Sequence, residues 1–519
     1  MSPSKAYIVR ISLIVALGGF LMGFDASVIS GVVKFIEPHF NLSKLQLGWA
    51  VSCLTLTATL AMVVAGPLSD RFGRLIILKY AAILYAVSAI ASALAPTFGF
   101  LVVARMIGGL GVGASLILAP MYIAEISPAK VRGTMVSFNQ LNIVIGISVA
   151  FFTNFIILRL SNDPSAWVSV LNIDTYNWRW MLGLETLPAI LYFVFLFSVP
   201  ESPRWLAMKG QDEKALDILS RVGSKDEARQ TLLAVKQNLK SSPKKERVPV
   251  SELFKPSMKL VLLIGIVVAI TQQITGINAV FFYAPMIFEQ TGIGTDAAFS
   301  QAILVGLTNL VFTVLAMWLI DKVGRKLLLL VGLSGIVISM GLLAIGFGTA
   351  TYQLNNDDVI VLQQTIESNQ WEKIVGVTYD SDLAFKRAIT NTMGEHQLIA
   401  NESAFLTRAI HINPWLVLIG IIGFVASFAI SLGPVMWVLF SELFPNRVRG
   451  LAISFAGFIN SGISFLVQLV FPWELANFGS SSTFLIYAVF AALGLLVLAF
   501  YLPETKGKTL EELEAVLVS

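Results

Sequence analysis

Cysteine is all but missing: the chain has one, Cys53, among 519 residues. That excludes an intramolecular disulfide and any cysteine-based metal site. Histidine is nearly as scarce, and the three present, His39, His396 and His411, fall at predicted loops and lie too far apart to form a ligand cluster. Charge is also thin: Asp, Glu, Lys and Arg supply 13% of the residues, where a soluble domain carries about 25%. The remainder is correspondingly apolar, at 56% hydrophobic residues and a mean hydropathy of +0.78. Such a chain belongs in a bilayer. Its formal net charge of +4 is no footprint of nucleic-acid binding, because the basic residues sit in short loops beside apolar runs and form no continuous stripe. The apolar run after MSPSKAYIVR continues past the length of a signal-peptide core without a small-residue cleavage site, so it reads as a first membrane span.

Runs of about 20 apolar residues, each enough to cross a core of roughly 30 Å, start near Ile11, Leu47, Leu75, Phe100, Met135 and Met181, and again near Leu260, Phe299, Leu327, Trp415, Leu451 and Phe484. Twelve spans place both termini on one side. Lys and Arg choose that side: DRFGR, AKVRG, the polar stretch from Pro200 to Lys259, DKVGRK and NRVRG follow the even-numbered spans, and these loops and both termini are expected to be cytoplasmic. Within the Pro200 to Lys259 stretch, Leu216, Ile218, Leu219, Leu232, Leu233, Val235 and Leu239 recur at helical spacing, which predicts short amphipathic helices.

The two halves repeat. DRFGR (Asp70 to Arg74) returns as DKVGR (Asp321 to Arg325), EISPAKVRG (Glu125 to Gly133) as ELFPNRVRG (Glu442 to Gly450), and PES at Pro200 as PET at Pro503, at offsets of 251, 317 and 303. The jump between the first two offsets equals a polar insertion between spans nine and ten. A parallel duplication of this order is expected of a transporter built from two six-helix bundles. The predicted organisation is an N-terminal bundle over 1–199, a cytoplasmic linker over 200–259 and a C-terminal bundle over 260–519, with an extracytoplasmic insertion over 350–412. The insertion's acidic balance suits an extracytoplasmic cap; helical pieces and a partner-binding extension are both open readings, and a simple solvated loop is the default.

One carboxylate, Asp25, interrupts the first apolar run in GGFLMGFDASVISG. An ionised acid at the centre of a membrane helix costs at least about 2.5–3.5 kcal/mol, which makes it a functional-site candidate. At a helical rise of 1.5 Å per residue, Asp25 lies about 21 Å above a cytoplasmic start near Ile11, and Arg105 in span four lies roughly 8 Å below the outer edge. The depths agree, so the two can pair. The pair serves either as a structural pin between helices or as a site that titrates. The glycine cluster GGLGVG (Gly108 to Gly113) follows no strand and lies within a span, so it reads as a close-packing surface and not as a phosphate cradle.

The ordered motifs GPLSDRFGR, RMIGGLGVG, PMYIAEISPAKVRG, PESPRWL, QQITGINAVFFYAP, DKVGRK, GPVMWVLFSELFPNRVRG and PETKGKTLEELE carry a resemblance to the sugar porter family of the major facilitator superfamily, and among its members to bacterial proton-coupled xylose and hexose symporters. The resemblance implies an all-α polytopic membrane protein with twelve transmembrane helices in two six-helix bundles, the major facilitator fold. It also implies inward-facing and outward-facing states and a monosaccharide or polyol substrate. By the same resemblance Asp25 and Arg105 form the proton-coupling pair, and the substrate site takes Gln140, Gln272, Gln273, Asn278, Asn309, Trp437 and Asn460. Amides both donate and accept, which suits sugar hydroxyls; the alternative use of such amides is interhelical bonding at about 0.6 kcal/mol each. Asp70, Arg74, Glu125, Arg132, Glu201, Arg204, Asp321, Arg325, Glu442 and Arg449 are expected to form a cytoplasmic gate that cross-links the bundles when the inner side is shut. Solvated surface pairs worth about 0–1 kcal/mol are the other reading. Phe282, where many family members have tyrosine, and Ser461, where several have tryptophan, depart from the pattern and leave the sugar open.

The expected protein is therefore a proton-driven sugar importer of the plasma membrane, functional as a monomer. It carries no catalytic residues, no metal and no cofactor beyond the proton, and its partners are the monosaccharide and the lipid bilayer. The rival readings are a uniporter of the same fold and a sugar sensor that binds without transporting.

Overall fold

The structure, a computed structural model, describes residues 3–128, 131–241, 249–364, 366, 370–445, 447–506, 508 and 512, with the side chains of 3–5, 238–241 and 321 excepted. Eleven helices among these residues are long and apolar enough to cross a membrane. The last of them, Arg449–Tyr501, has 53 residues. At 1.5 Å per residue that is about 80 Å, far beyond a hydrocarbon core of roughly 30 Å. It folds back at Gly479, whose φ of 76° and ψ of 165° break the helix in a region where other residues are strained. Spans eleven and twelve are thus 449–478 and 480–501, and the twelve-span reading holds.

Spans one to five are Pro3–His39, Lys44–Phe72, Arg74–Ala93, Phe98–Ile126 and Arg132–Ser161; spans eight and nine are Thr295–Val323 and Arg325–Gly348. Three spans are broken in mid-course. Span six runs Asn177–Gly183 and Thr186–Phe195. Pro188 has no N–H to give the Leu184 carbonyl, which accepts from Leu187 N at 3.3 Å instead, and the helix loosens around Glu185. Span seven, Lys259–Ile274 and Ile277–Glu289, breaks at Gly276 (φ 91°) and kinks again at Tyr283, two residues before Pro285. Span ten, Pro414–Ile430 and Leu432–Leu443, breaks at Ser431. Broken helices expose backbone polar groups at membrane depth, a device suited to lining a polar site.

The chain divides into two compact units. One comprises Met1–Val28, Cys53–Ala150 and Arg179–Pro249; the other comprises Ile29–Ser52, Phe151–Trp178 and Val250–Ser519. In the first, the glycine cluster does what its composition suggested. A Cβ on Gly109 would fall 2.1 Å from Thr57 Oγ1, and one on Gly113 2.1 Å from the Ala58 carbonyl, so spans two and four touch backbone to backbone. The predicted amphipathic helices are Pro203–Met208, Asp212–Val222 and Lys225–Ser241. They bury Leu206, Ile218, Leu219 and Leu232 against the same apolar cluster as the inner ends of spans one, three and four.

The insertion differs from the solvated loop that its acidity suggested. Strands Thr351–Tyr352 and Ile410–His411 pair antiparallel and close its base. Helices Asn356–Leu362, Asp382–Met393 and Glu395–Ala409 enclose a core of Tyr352, Leu354, Trp371, Phe385, Ile389 and Phe405. Its apolar residues are diluted among charges in sequence and converge only in three dimensions. Glu402 on the last of these helices accepts from Lys386 Nζ at 2.6 Å. Burial would raise its pKa, but Lys386 and Lys44 outweigh that and hold it at about 2, against an ordinary value of 4.5. The stability it contributes is therefore complete above pH 4.5 and lost as pH falls toward 2. Glu402→Gln is expected to cost about 1–3 kcal/mol at neutral pH, since it leaves two lysines under-compensated. The gap between wild-type and variant melting curves in detergent should close below pH 4.5; a gap that stays constant to pH 2.5 would contradict the pairing.

Candidate functional site

In the first unit, Asp25 of span one and Arg105 of span four meet as the matched depths predicted. Arg105 Nη1 lies 3.4 Å from Asp25 Oδ1, and both residues are at most 2% exposed. The other oxygen, Asp25 Oδ2, is buried without a hydrogen-bond partner among the described residues. A Cβ on Gly108 would stand 2.9 Å from that oxygen and 2.5 Å from Ser88 Oγ, so span four presents a bare turn to it. A third charged residue belongs here that the sequence reading missed. Glu185, at the loosened turn of span six, is 2% exposed, lies within electrostatic reach of both Asp25 and Arg105, and has an Oε1 with no hydrogen-bond partner. Its signal was available: an acid within LGLETLPA, flanked by apolar residues and followed three residues later by proline. One arginine thus stands against two buried acids.

In the second unit, four of the predicted amides form one network. Asn460 Nδ2 donates to Gln272 Oε1 at 2.6 Å and to the Ala269 carbonyl at 2.9 Å. Gln273 Nε2 donates to Gln272 Oε1 (3.1 Å) and Asn460 Oδ1 (3.3 Å), and Asn278 Nδ2 donates to Gln273 Oε1 at 2.8 Å. The break at Thr275–Gly276 is what lets residues on both sides of it face one another. Gln272 Nε2 also reaches the Leu432 carbonyl at 3.1 Å, beside the break in span ten. Two further residues complete the network: Ser464, which accepts from Asn278 at 2.6 Å and from Gln468 Nε2 at 2.8 Å, and Gln468 itself. Asn460, Ser464 and Gln468 are spaced by four, a polar stripe on one helix face that the sequence displays.

Of the remaining predicted residues, Trp437 is 49% exposed and lies over Gly457, one turn before Asn460. Phe282 is buried and Ser461 half-buried. Asn309 is buried and bonds Thr313 on its own helix at 3.5 Å, outside the network. Gln140 lies in the first unit and is exposed.

The repeated charged motifs build the same joint twice. In the first unit Arg74 Nε and Nη2 hold Glu125 at 3.1 and 3.2 Å, and Nη1 takes Asp70 at 2.8 Å. Glu201 accepts from Arg74 N and Leu75 N, capping the exposed donors that open span three. Ser202 Oγ donates to Glu125. In the second unit Arg325 Nη2 holds Glu442 at 2.9 Å, Glu504 accepts from Arg325 N and Lys326 N at 3.0 and 3.1 Å, and Thr505 Oγ1 donates to Glu442 at 2.6 Å. Burial pushes Glu201 above its ordinary pKa despite these donors. In Glu504 the N–H groups of Lys506, Arg325, Lys326 and Thr505 outweigh burial and hold it below. Arg132 and Arg204 are exposed, and Arg449 Nε donates to the Phe444 carbonyl at 3.0 Å. The side chain of Asp321 lies outside the described residues.

Twelve apolar spans, duplicated joints, an occluded acid–arginine site and an amide network at broken helices define an all-α polytopic carrier of the major facilitator fold. The chain belongs to the sugar (and other) transporter family, whose model matches residues 11–364 and 397–517. It is 35% identical to the arabinose-proton symporter of Bacillus subtilis, across 100% of this chain and 96% of that one. It is also 35% identical to the D-xylose-proton symporter of Escherichia coli K12, across 99% and 96%. Among solved structures it resembles the inward open conformation of the E. coli xylose transporter XylE with a TM-score of 0.75 at 32% identity, covering 98% of this chain and 100% of that one. The TM-score to XylE bound to 6-bromo-6-deoxy-D-glucose is 0.68 at 33% identity, with 99% and 100% covered.

Arg105→Leu is expected to cost about 3–5 kcal/mol, because it strands a carboxylate in a dry site. Adding Asp25→Asn should recover a large part of that loss. Thermal unfolding of the purified single and double variants in one detergent checks this; additive losses would show that the two side chains are not coupled.

Proposed function

We propose that this protein imports a monosaccharide, a pentose or hexose, by proton symport through alternating access, across a plasma membrane with both termini cytoplasmic. The observation that carries the reading is the buried Asp25 with one oxygen unpartnered, facing Arg105 and Glu185, in a chain that aligns end to end with proteins named as proton symporters of arabinose and xylose. With Arg105 close, the ionised acid is tolerable; when the helices shift and the arginine is drawn off, desolvation favours the protonated form, so proton occupancy and conformation are linked. Arg105 is the partner that trades places with the proton, and Glu185 is a second acid able to share it.

Gln272, Gln273, Asn278 and Asn460 are the sugar-binding core of this reading, with Gln140, Asn309 and Trp437 as outer contributors. The bonds these amides make to one another are replaced by sugar hydroxyls on binding. Trp437 offers the apolar ring face its platform. The Arg74, Glu125 and Glu201 joint, its repeat at Arg325, Glu442 and Glu504, and Asp70, Arg132, Asp321 and Arg449 serve as the cytoplasmic gate; each joint holds its own half rigid so that small energies tilt the balance between states. The functional division follows the repeat, with bundles at 1–199 and 260–519 around the linker 200–259, and the working form is a monomer.

Asp25→Asn separates this reading from uniport. In proteoliposomes the variant is expected to keep sugar binding and counterflow while losing accumulation driven by a proton gradient. Full pH-driven accumulation by the variant would overturn the assignment. Asn460→Ala should weaken sugar binding about 3- to 10-fold, the worth of one hydrogen bond of about 0.5–1.5 kcal/mol. Titration calorimetry with xylose, arabinose and glucose checks it, and unchanged affinity for all three would remove Asn460 from the site.

A further inference from the structure

The folded insertion has no counterpart in the motifs that carry the family match, and the family model leaves 365–396 unmatched. It nevertheless meets the transport helices through charged contacts. Glu402 accepts from Lys386 Nζ at 2.6 Å and from Gln290 Nε2 at 3.2 Å, and its second oxygen lies 3.9 Å from Lys44 Nζ. Lys386 also donates to Gln290 Oε1 at 2.7 Å. Lys44 is shared with Glu37 at 2.5 Å, and beside it Lys34 contacts Glu289 at 2.5 Å and the Thr295 hydroxyl. Three stretches therefore converge: the adjoining ends of spans one and two (Lys34, Glu37, Lys44), the end of span seven (Glu289, Gln290) and the cap (Lys386, Glu402). Three cations face three anions.

The attachments differ in kind. Asp382 Oδ2 accepts from Ser480 N and Oγ at 3.0 Å, at the fold-back between spans eleven and twelve, and Lys386 holds Gln290 next to span seven. Both anchors tie the cap to the C-terminal half of the sequence. The Glu402–Lys44 contact instead reaches span two, which from Cys53 onward belongs to the other compact unit. The carboxylate is suited to a standing ionic contact, since its lysines keep it charged at any pH above about 2.

We infer that the insertion is an outer latch: Glu402 on the anchored cap holds Lys44 at the outer end of span two while the outer side is closed, and the contact breaks each time that side opens. The inference rests on the alternating-access reading, under which the outer ends of spans one and two must leave span seven. Opening then breaks Lys44–Glu402 and Lys34–Glu289 but leaves Glu402 its partner Lys386, so the latch can re-form. Its effect is to hold the resting carrier closed outward and to slow outer opening.

The test uses the full-length protein with Cys53→Ala and spin labels on Leu45→Cys and Ser300→Cys, exposed positions at the outer ends of spans two and eight. Pulsed electron resonance then reads the ratio of long to short distances. Lys44→Gln, which leaves the cap's own bonds intact, and Glu402→Gln should each raise that ratio about 5- to 10-fold; Lys44→Arg should restore it. Arg408→Gln changes the cap's charge away from the contact and should leave the ratio unchanged. An unmoved ratio in Lys44→Gln overturns the latch whatever Glu402→Gln does, and so does a shift in Lys44→Gln that a folded Glu402→Gln does not reproduce. A wild type fixed at one distance, with no sugar counterflow, would instead remove the transport reading and the latch together.

Discussion

A charge removed from water must find its opposite, and in this chain that constraint is met at the Asp25–Arg105 contact. The separation of 3.4 Å is long for an arginine–carboxylate pair, which forms bonds of about 2.7–2.9 Å when optimised. The looseness is informative. A pair built only to pin two helices would gain from bidentate geometry, whereas here one carboxylate oxygen has no hydrogen-bond partner and a second acid, Glu185, shares the cation's field. The arginine is over-subscribed. With both acids ionised, one arginine cannot balance them.

The rest of the molecule makes this frustration affordable. Glycines let spans two and four touch at backbone distance within a turn or two of Arg105. At the repeated motifs, Glu201 and Glu504 each cap the first N–H groups of a span that follows a DRFGR-type turn, while Arg74 and Arg325 each clamp an acid from the next motif. Duplication kept both joints because each solves the same local problem. A helix must start just after a sharp turn with its donors satisfied, and a carboxylate from the following segment does so while fixing that segment's direction.

Much of this was legible in the sequence. Span positions, the repeat and the Asp25–Arg105 match follow from hydropathy, spacing and helical rise, all of which are local or periodic. The amides of span seven were legible by motif, but their convergence depends on the break at Gly276, and a chain read as one helix would have put Gln272 and Asn278 on different faces. Ser464 and Gln468 were missed although their spacing from Asn460 advertises one helix face. Glu185 was missed for a different reason: a single acid near the middle of a span was searched for in span one and not in span six. The cap was legible only as an acidic insertion, with helical pieces one reading beside the default of a solvated loop. Its core draws on Tyr352, Trp371, Phe385 and Phe405, spread over more than fifty residues, and no periodicity announces contacts that close only through a two-residue strand pair.

The Asp25–Arg105 pair and the amide network lie in different compact units, so in the proposed cycle any coupling between them must pass through elements common to both. Span one is such an element. It runs unbroken from Pro3 to His39, and it leaves the first unit after Val28, three residues beyond Asp25. Nine residues past Asp25, about 13 Å at the helical rise, the same helix carries Lys34, which is paired with Glu289 at the end of the span that bears the amides. A helix is stiff over that distance, so in the proposed cycle a shift of span one at Asp25 would carry the base of the ion cluster with it. Conversely, breaking Lys34–Glu289 frees the segment that holds Asp25 in place. In that cycle proton binding and outer opening would be two readings of the position of one helix. Linkage requires the influence to run both ways, so whatever strengthens the outer ion cluster must also alter the proton affinity of Asp25.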